Sequence, residues 1–175
     1  MNLEPRVIAE VGGSVVAEQG PLVLVIDRRT GPLSVLAYVL GVMTLVTGGF
    51  GAVALLTSTP SAAVGAAFLA VGLVVAGATL ATLRSIRRRR SKPLHSYEPV
   101  AVFDRERRVF VDGSGSVVAP LDQVLFQRAM QITSSSPKLV AVTPNGTRVL
   151  KRGNPFSGGI GNLDEVLTVA VHGGR

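Results

Sequence analysis

The chain has 175 residues, of which 47% are hydrophobic and only 17% charged, and its mean hydropathy is +0.42. Soluble domains usually carry about 25% charged residues, so this composition argues against a large soluble enzyme core and places much of the apolar content in lipid. The chain has no cysteine, which excludes disulfides, thiolate metal sites and cysteine nucleophiles. Its two histidines are too few for a multi-histidine metal or haem site.

The net charge of +7 is concentrated in one short segment. Residues 1–32 have a net charge of −1, residues 33–83 have no charged side chain, and residues 84–92 have a net charge of +6. A nucleic-acid-binding domain would instead show a basic face interleaved with aromatic residues. The charge distribution therefore indicates no nucleic-acid partner.

Short β-branched runs in the N-terminal segment, residues 1–32, predict three strands. The runs cover residues 6–11, 14–17 and 22–26, and turns at Gly12-Gly13 and Gly20-Pro21 separate them. If both ends of the chain lie on one side of a membrane, these strands could pair with later ones. The sequence leaves that pairing open.

Fifty-one consecutive uncharged residues, 33–83, are long enough for two membrane passes, because a bilayer core needs about 20 apolar residues in a helix. We expect helices over residues 33–57 and 62–83, joined by an extracytoplasmic turn at 58–61. Pro60 suits the opening of the second helix. A signal peptide does not fit, since the run starts late and a second run follows it directly.

The orientation is predicted from the basic residues that flank the apolar run. Arg28 and Arg29 precede the first helix, residues 84–92 follow the second, and the turn between the helices has neither Lys nor Arg. Basic flanks stay on the cytoplasmic side. We therefore expect a multi-pass protein of the cytoplasmic membrane with both termini in the cytoplasm.

Small residues recur at close spacing in both helices, as backbones that approach closely in lipid require. The predicted packing positions are Gly48, Gly51, Ala52, Ala62, Ala66, Ala70, Gly72 and Ala76. They serve either the packing of the hairpin on itself or docking against other integral membrane subunits. Because no ionisable side chain lies within residues 33–83, the hairpin is a poor candidate for a channel, pump or redox carrier.

A basic juxtamembrane linker is expected over residues 84–96, at the level of the cytoplasmic headgroups. Attraction of such a cluster to anionic phospholipid is worth about 1 kcal/mol per residue near the surface. A specific lipid site or an acidic partner is the alternative. The predicted headgroup contacts are Arg84, Arg87, Arg88, Arg89, Arg90 and Lys92.

Residues 97–175 predict a β-rich domain that ends in a helix over residues 164–171, capped by Asn162 or Asp164. Strand turns are indicated at residues 112–116 and 144–146, whereas residues 121–132 fit either a strand or a helix by periodicity. The Gly-Gly-Ile-Gly run at residues 158–161 lacks the spacing of a nucleotide-binding loop. The serines at residues 134–136 precede a proline in a predicted turn, and no base beside them makes any of the three a nucleophile. We therefore predict no catalytic, cofactor-binding or metal-binding residue and no enzyme activity.

This succession of short strands closed by a C-terminal helix, over roughly residues 97–171, resembles the pleckstrin-homology-like domains of bacterial membrane proteins. The resemblance rests on the order of the elements and on the strand–turn–strand rhythm. It implies a binding or assembly role. No residue matches a specific ligand motif of these domains.

The layout of a small two-pass protein with its folded part inside the cell also resembles the accessory subunits of actinobacterial respiratory complexes, including the cytochrome bcc–oxidase supercomplex. That resemblance implies a non-catalytic role in assembly or stabilisation, with no redox centre in this chain. The alternative is a membrane-anchored pleckstrin-homology-like module that binds anionic lipid or a cytoplasmic peptide.

Overall fold

The computed structural model describes residues 5–57, 59–132 and 134–173. The chain divides into two compact units. A sheet unit combines the residues up to 31 with those from 92 onward, and a helical unit spans residues 32–91. The two parts of the sheet unit therefore lie on either side of the helical unit in the sequence.

Nine antiparallel strands of the described residues form two sheets in the sheet unit. The first sheet has six strands in sequence order, and the second has three. The strands are β1 (Arg6–Val11), β2 (Ser14–Gln19), β3 (Leu22–Asp27), β4 (Pro99–Asp104), β5 (Val109–Asp112), β6 (Val117–Pro120), β7 (Leu125–Gln131), β8 (Ser134–Thr143) and β9 (Gly146–Arg152). All three short N-terminal runs are strands.

The six-stranded sheet joins the two separate parts of the sheet unit. Strand β3 pairs antiparallel with β4, and Val23 lies opposite Phe103. Whether the N-terminal strands join the later ones was open from the sequence, and the structure shows that they do. About 70 residues of chain, including the whole helical unit, lie between these two neighbouring strands in the sequence.

The core of the sheet unit lies between the two sheets and the C-terminal helix α3 (Leu163–His172). Phe103 stacks on Phe110 at a ring-centroid distance of 4.8 Å and meets Phe126 of the second sheet edge-on at 5.2 Å. Leu163 and Leu167 of α3 are fully buried in the same core. The apolar face of this amphipathic helix therefore covers the core, as its spacing requires.

Residues 121–132, ambiguous by periodicity, form a short 3₁₀ turn followed by strand β7. Burial alternates along this segment as expected for a strand: Val124 is buried, Leu125 is exposed and Phe126 is half-buried. Pro120 ends β6 without interrupting it. Asn162 occupies the N-cap position of α3, but its side chain accepts no capping hydrogen bond.

The helical unit consists of α1 (Gly31–Thr57) and α2 (Ala62–Arg90), which are 27 and 29 residues long. At a rise of 1.5 Å per residue, each helix extends about 40 Å, more than the roughly 30 Å of a bilayer core. Ser61 caps α2, since its hydroxyl accepts a hydrogen bond from the Val64 amide. Of the predicted turn, residue 58 lies outside the described residues.

Candidate membrane hairpin and binding groove

Glycines bring the backbones of α1 and α2 into direct contact. A Cβ atom on Gly51 would lie 2.4 Å from the backbone nitrogen of Leu69, and one on Gly72 would lie 2.6 Å from the Cα of Gly48. On Gly65, a Cβ would lie 2.8 Å from the nitrogen of Leu55. Real Cβ contacts are not this short, so only glycine fits at these positions.

The predicted packing residues divide between two faces of the hairpin. Gly48, Gly51 and Gly72 lie at the helix–helix contact, and Ala76 is half-buried. The exposed members are Ala52, Ala62, Ala66 and Ala70. The prediction missed Gly65, although its spacing of seven from Gly72 is the signal of a shared helix face.

A pair of threonines also faces across this contact. The hydroxyl oxygens of Thr44 and Thr79 are 3.4 Å apart. Each hydroxyl also donates to a carbonyl four residues earlier in its own helix, at 2.8 Å for Thr44 and 2.9 Å for Thr79. A hydroxyl has one proton, so the contact between the helices is a weak addition to the glycine packing.

The outer surface of the hairpin is apolar on all sides. Both helices are long and apolar enough to cross a membrane, and only 11% of the most apolar window of each is buried. Leu45, for example, is 76% exposed, and Leu56 and Val74 are similarly open. A helix that is hydrophobic all round is typical of a membrane span or of the core of a large protein.

The basic cluster belongs largely to a helix and not to a linker. Helix α2 continues to Arg90 and is capped at Ser91, whose amide donates to the carbonyls of Arg87 and Arg89. The expected linker from residue 84 therefore starts only after the cap, because arginines have good helix propensity and their charges favour a helix C-terminus. The predicted headgroup contacts, all exposed, are Arg84, Arg87, Arg88, Arg89, Arg90 and Lys92.

The two arginines before α1 have different surroundings. Arg28 is only 7% exposed, and its Nη1 lies 2.7 Å from the Oε1 of Glu10. Arg29 is exposed, with a left-handed backbone at φ 50°. Of this basic flank, Arg29 alone presents its charge at the surface of the sheet unit.

A groove of about 640 Å³ lies between the edge strand β1 and helix α3. Its apolar lining includes Val7 and Ile8 from the strand and Val169 from the helix. Charged groups also line it: Arg6, Glu165 and the ion-paired Glu18 and Arg105. Because β1 is at the end of its sheet, one side of its backbone is not paired with a described strand.

A bidentate ion pair fixes α3 against the second sheet on the other side of the helix. Arg128 of β7 donates from Nε and Nη2 to the carboxylate of Asp164, at 2.7 and 2.8 Å. These hydrogen bonds hold the pKa of Asp164 below its ordinary value. The ion pair thereby ties the first turn of α3, the helix that forms one wall of the groove, to β7.

Metal-ligating side chains do not cluster within residues 5–57, 59–132 and 134–173. Groups of three or more His, Cys, Asp or Glu that could hold a metal ion are absent from this part of the chain. His95 is exposed, while His172 lies 3.1 Å from the carbonyl oxygen of Val124. Comparison with protein families, curated proteins and solved structures finds no match for this chain.

Proposed function

We propose that this chain is a two-pass integral membrane protein with both ends in the cytoplasm, acting as a non-catalytic accessory subunit of a larger membrane complex. Three features support the proposal: the apolar hairpin, the composite sheet and the small-residue face of α2. Its layout is similar to that of the accessory subunits of actinobacterial respiratory complexes, so the finer proposal is that the partner is the respiratory oxidase supercomplex.

The exposed faces of α1 and α2 support membrane insertion. Soluble monomers rarely expose contiguous apolar patches larger than a few hundred Å². Here two helices of 27 and 29 residues are apolar on nearly every exposed face, with no charged residue from 33 to 83. Lipid is the solvent that removes this apolar surface from water.

The pairing of β3 with β4 supports a membrane topology in which both ends of the chain lie on one side. These strands stand on opposite sides of the hairpin in the sequence, yet Leu22–Asp27 and Pro99–Asp104 are hydrogen-bonded neighbours. A sheet does not form across a bilayer, so the chain between them crosses the membrane an even number of times. The basic end of α2 supports the cytoplasmic side for the sheet unit, because basic flanks stay in the cytoplasm.

A second, exposed face of α2 that flanks the glycine contact supports docking against another membrane subunit. Ala62, Ala66 and Ala70 are exposed there, and Gly77 further along has no atom within 4 Å of where a Cβ would stand. Small residues at this spacing admit a second helix at close range. The hairpin has thus used one small-residue face internally and retains another.

Purification of the tagged chain in mild detergent, followed by mass spectrometry, tests the proposal. We expect stoichiometric membrane partners with the native chain, and their loss with Ala70→Leu, which blocks the outer face. The matched control is Val46→Leu, on an exposed position of α1. Migration of the native chain as a lone small species would contradict the accessory role, and respiratory oxidase subunits among the partners would support the finer assignment.

A second candidate function is a pleckstrin-homology-like module that binds a cytoplasmic peptide or anionic lipid. The observation that favours it is the groove between β1 and α3, in which an edge strand lies beside exposed apolar residues of a helix. Extended peptides commonly add to such an edge. Val169→Arg would fill the groove, so loss of a soluble partner with this variant, and its retention with Val117→Arg, would support this function.

A further inference from the structure

Three large apolar side chains are exposed at one end of the sheet unit. Met130 and Ile132, at the tip of the β7–β8 hairpin, are 83% and 107% exposed, and Phe156, in the loop after β9, is 46% exposed. We refer to Met130, Ile132 and Phe156 as the apolar tip. Single exposed apolar residues are normal on a soluble surface, whereas several at one end of a domain are typical of an interaction site.

Hydrogen bonds fix the hairpin end that presents these side chains. Pro137 has no amide proton, and the pairing of β7 with β8 shifts register here, between Ala129 and Gln131. The side-chain amide of Gln131 bridges the irregular region by donating to the carbonyls of Ser136 and Gly153, at 2.7 and 3.0 Å. Gln131 therefore ties the end of β7 to β8 and to the residue that follows β9.

The same end of the sheet unit is where the chain leaves for α1. Asn154 directly follows Gly153, and its side-chain nitrogen donates to the carbonyl of Gly31 at 3.2 Å. Its side-chain oxygen accepts from the amide of Phe156 at 2.9 Å. Two amide side chains, Gln131 and Asn154, thus link the apolar tip to the first residue of α1.

The charge around the tip favours an anionic surface. Residues 123–163 contain no acidic residue, and two of their basic residues, Lys138 and Arg152, lie at the end of the second sheet that carries the tip. Lys138 and Arg152 are direct cross-strand neighbours near the tip. Apolar side chains flanked by cations match the interface of an anionic bilayer, where acyl chains lie just below negative headgroups.

We propose that the apolar tip inserts into the headgroup–acyl interface of the leaflet that α1 enters, with Lys138 and Arg152 at the phosphates. The inference rests on the membrane insertion of the hairpin proposed above. It makes lipid the occupant of this surface and fixes the sheet unit to the membrane by a second contact, independent of the arginines at the end of α2.

Single tryptophans test this directly, because the chain has none of its own. The full chain carrying Ile132→Trp is placed in nanodiscs of phosphatidylcholine and phosphatidylglycerol, with and without bromine on the acyl chains. We expect blue-shifted emission that brominated lipid quenches several-fold. The matched control is Val117→Trp, also exposed, at 66%, but at the opposite end of the sheets, where Asn145 donates to the carbonyl of Val118. Its emission should be red-shifted and unquenched.

Leu45→Trp, in the middle of α1, separates this inference from the proposed function. Quenching of Leu45→Trp without quenching of Ile132→Trp would contradict insertion of the apolar tip and would still support membrane insertion of the hairpin. Absence of quenching in both would contradict membrane insertion itself. Blue-shifted but unquenched emission from Ile132→Trp would mean that protein covers the tip, and would also overturn the proposal.

Discussion

Individual glycines decide whether the two long helices touch. Gly51 and Gly72 have no room for a Cβ, whereas Gly49 and Gly77, on the same helices, have nothing within 4 Å of that position. The difference arises from helix phase, because only residues three, four or seven apart share a face. The sequence identified Gly48, Gly51 and Gly72, but the alanine series at 62, 66 and 70 is exposed and lies outside the glycine contact of α2.

Leucine substitution at these glycines separates internal packing from the outer face. Gly51→Leu and Gly72→Leu should each destabilise the hairpin by about 1–3 kcal/mol or more, because the added side chain meets backbone that cannot move aside. Gly49→Leu and Gly77→Leu are the matched controls and should leave the hairpin intact. Thermal denaturation in detergent measures the difference, and equal losses for both pairs would contradict the contact.

The ion pair between Arg128 and Asp164 makes a second residue-scale prediction. The folded state lowers the pKa of Asp164, so its contribution is present above the ordinary aspartate pKa of about 3.9 and is lost as the pH falls through the lower, folded value. Asp164→Asn should therefore reduce stability at neutral pH and flatten the decline below about pH 4. The effect is modest and sensitive to salt, because Arg128 is 44% exposed.

Thermal midpoints at neutral and acidic pH, at low and high salt, check this expectation. Asp122→Asn, on an exposed position just before β7, is the control that should change neither value. An acid limb of the same slope in native chain and Asp164→Asn would contradict the role given to the pair.

At the scale of elements, local pattern was a good guide to strands and a poor guide to their partners. The bounds of β1 and the turns near residues 112–116 and 144–146 follow from β-branched runs and glycine signals. The partner of β3 does not, because β4 lies beyond the entire helical unit and pairing over such a separation leaves no local signal. The end of α2 was also missed, since the change from apolar residues to arginines marks the end of the apolar run and not the end of the helix.

Removal of the N-terminal strands should unfold the sheet unit. Residues 93–175 alone lack β1, β2 and β3, whose Val16, Val23 and Val25 are buried in the shared core. We expect this fragment to aggregate or to lack native hydrogen-exchange protection. Residues 5–30 joined to 92–175 by a short glycine–serine linker restore the sheet and should fold as a soluble monomer.

Circular dichroism, size-exclusion chromatography and hydrogen exchange distinguish the two fragments. Stable, monomeric folding of residues 93–175 without the N-terminal strands would contradict the composite sheet.

At the scale of the whole molecule, one physical relation governs the layout: strands that hydrogen-bond to each other share an aqueous compartment. The sequence predicted the apolar hairpin from its length and lack of charge, and the orientation from its arginines. The structure adds that Arg28 is buried and paired with Glu10. The prediction of orientation therefore depends mainly on the basic end of α2. The groove beside β1 and the apolar tip could not be predicted, because each assembles residues from distant segments.

The absence of native cysteine makes single-cysteine labelling the most direct test of this layout. Thr59→Cys lies in the turn between α1 and α2, and Ser114→Cys lies in the exposed turn between β5 and β6. In intact cells, a membrane-impermeant maleimide should label Thr59→Cys at once and Ser114→Cys only after permeabilisation. Labelling of Ser114→Cys from outside intact cells, or protection of both positions, would contradict a hairpin that crosses the membrane twice and leaves the sheet unit in the cytoplasm.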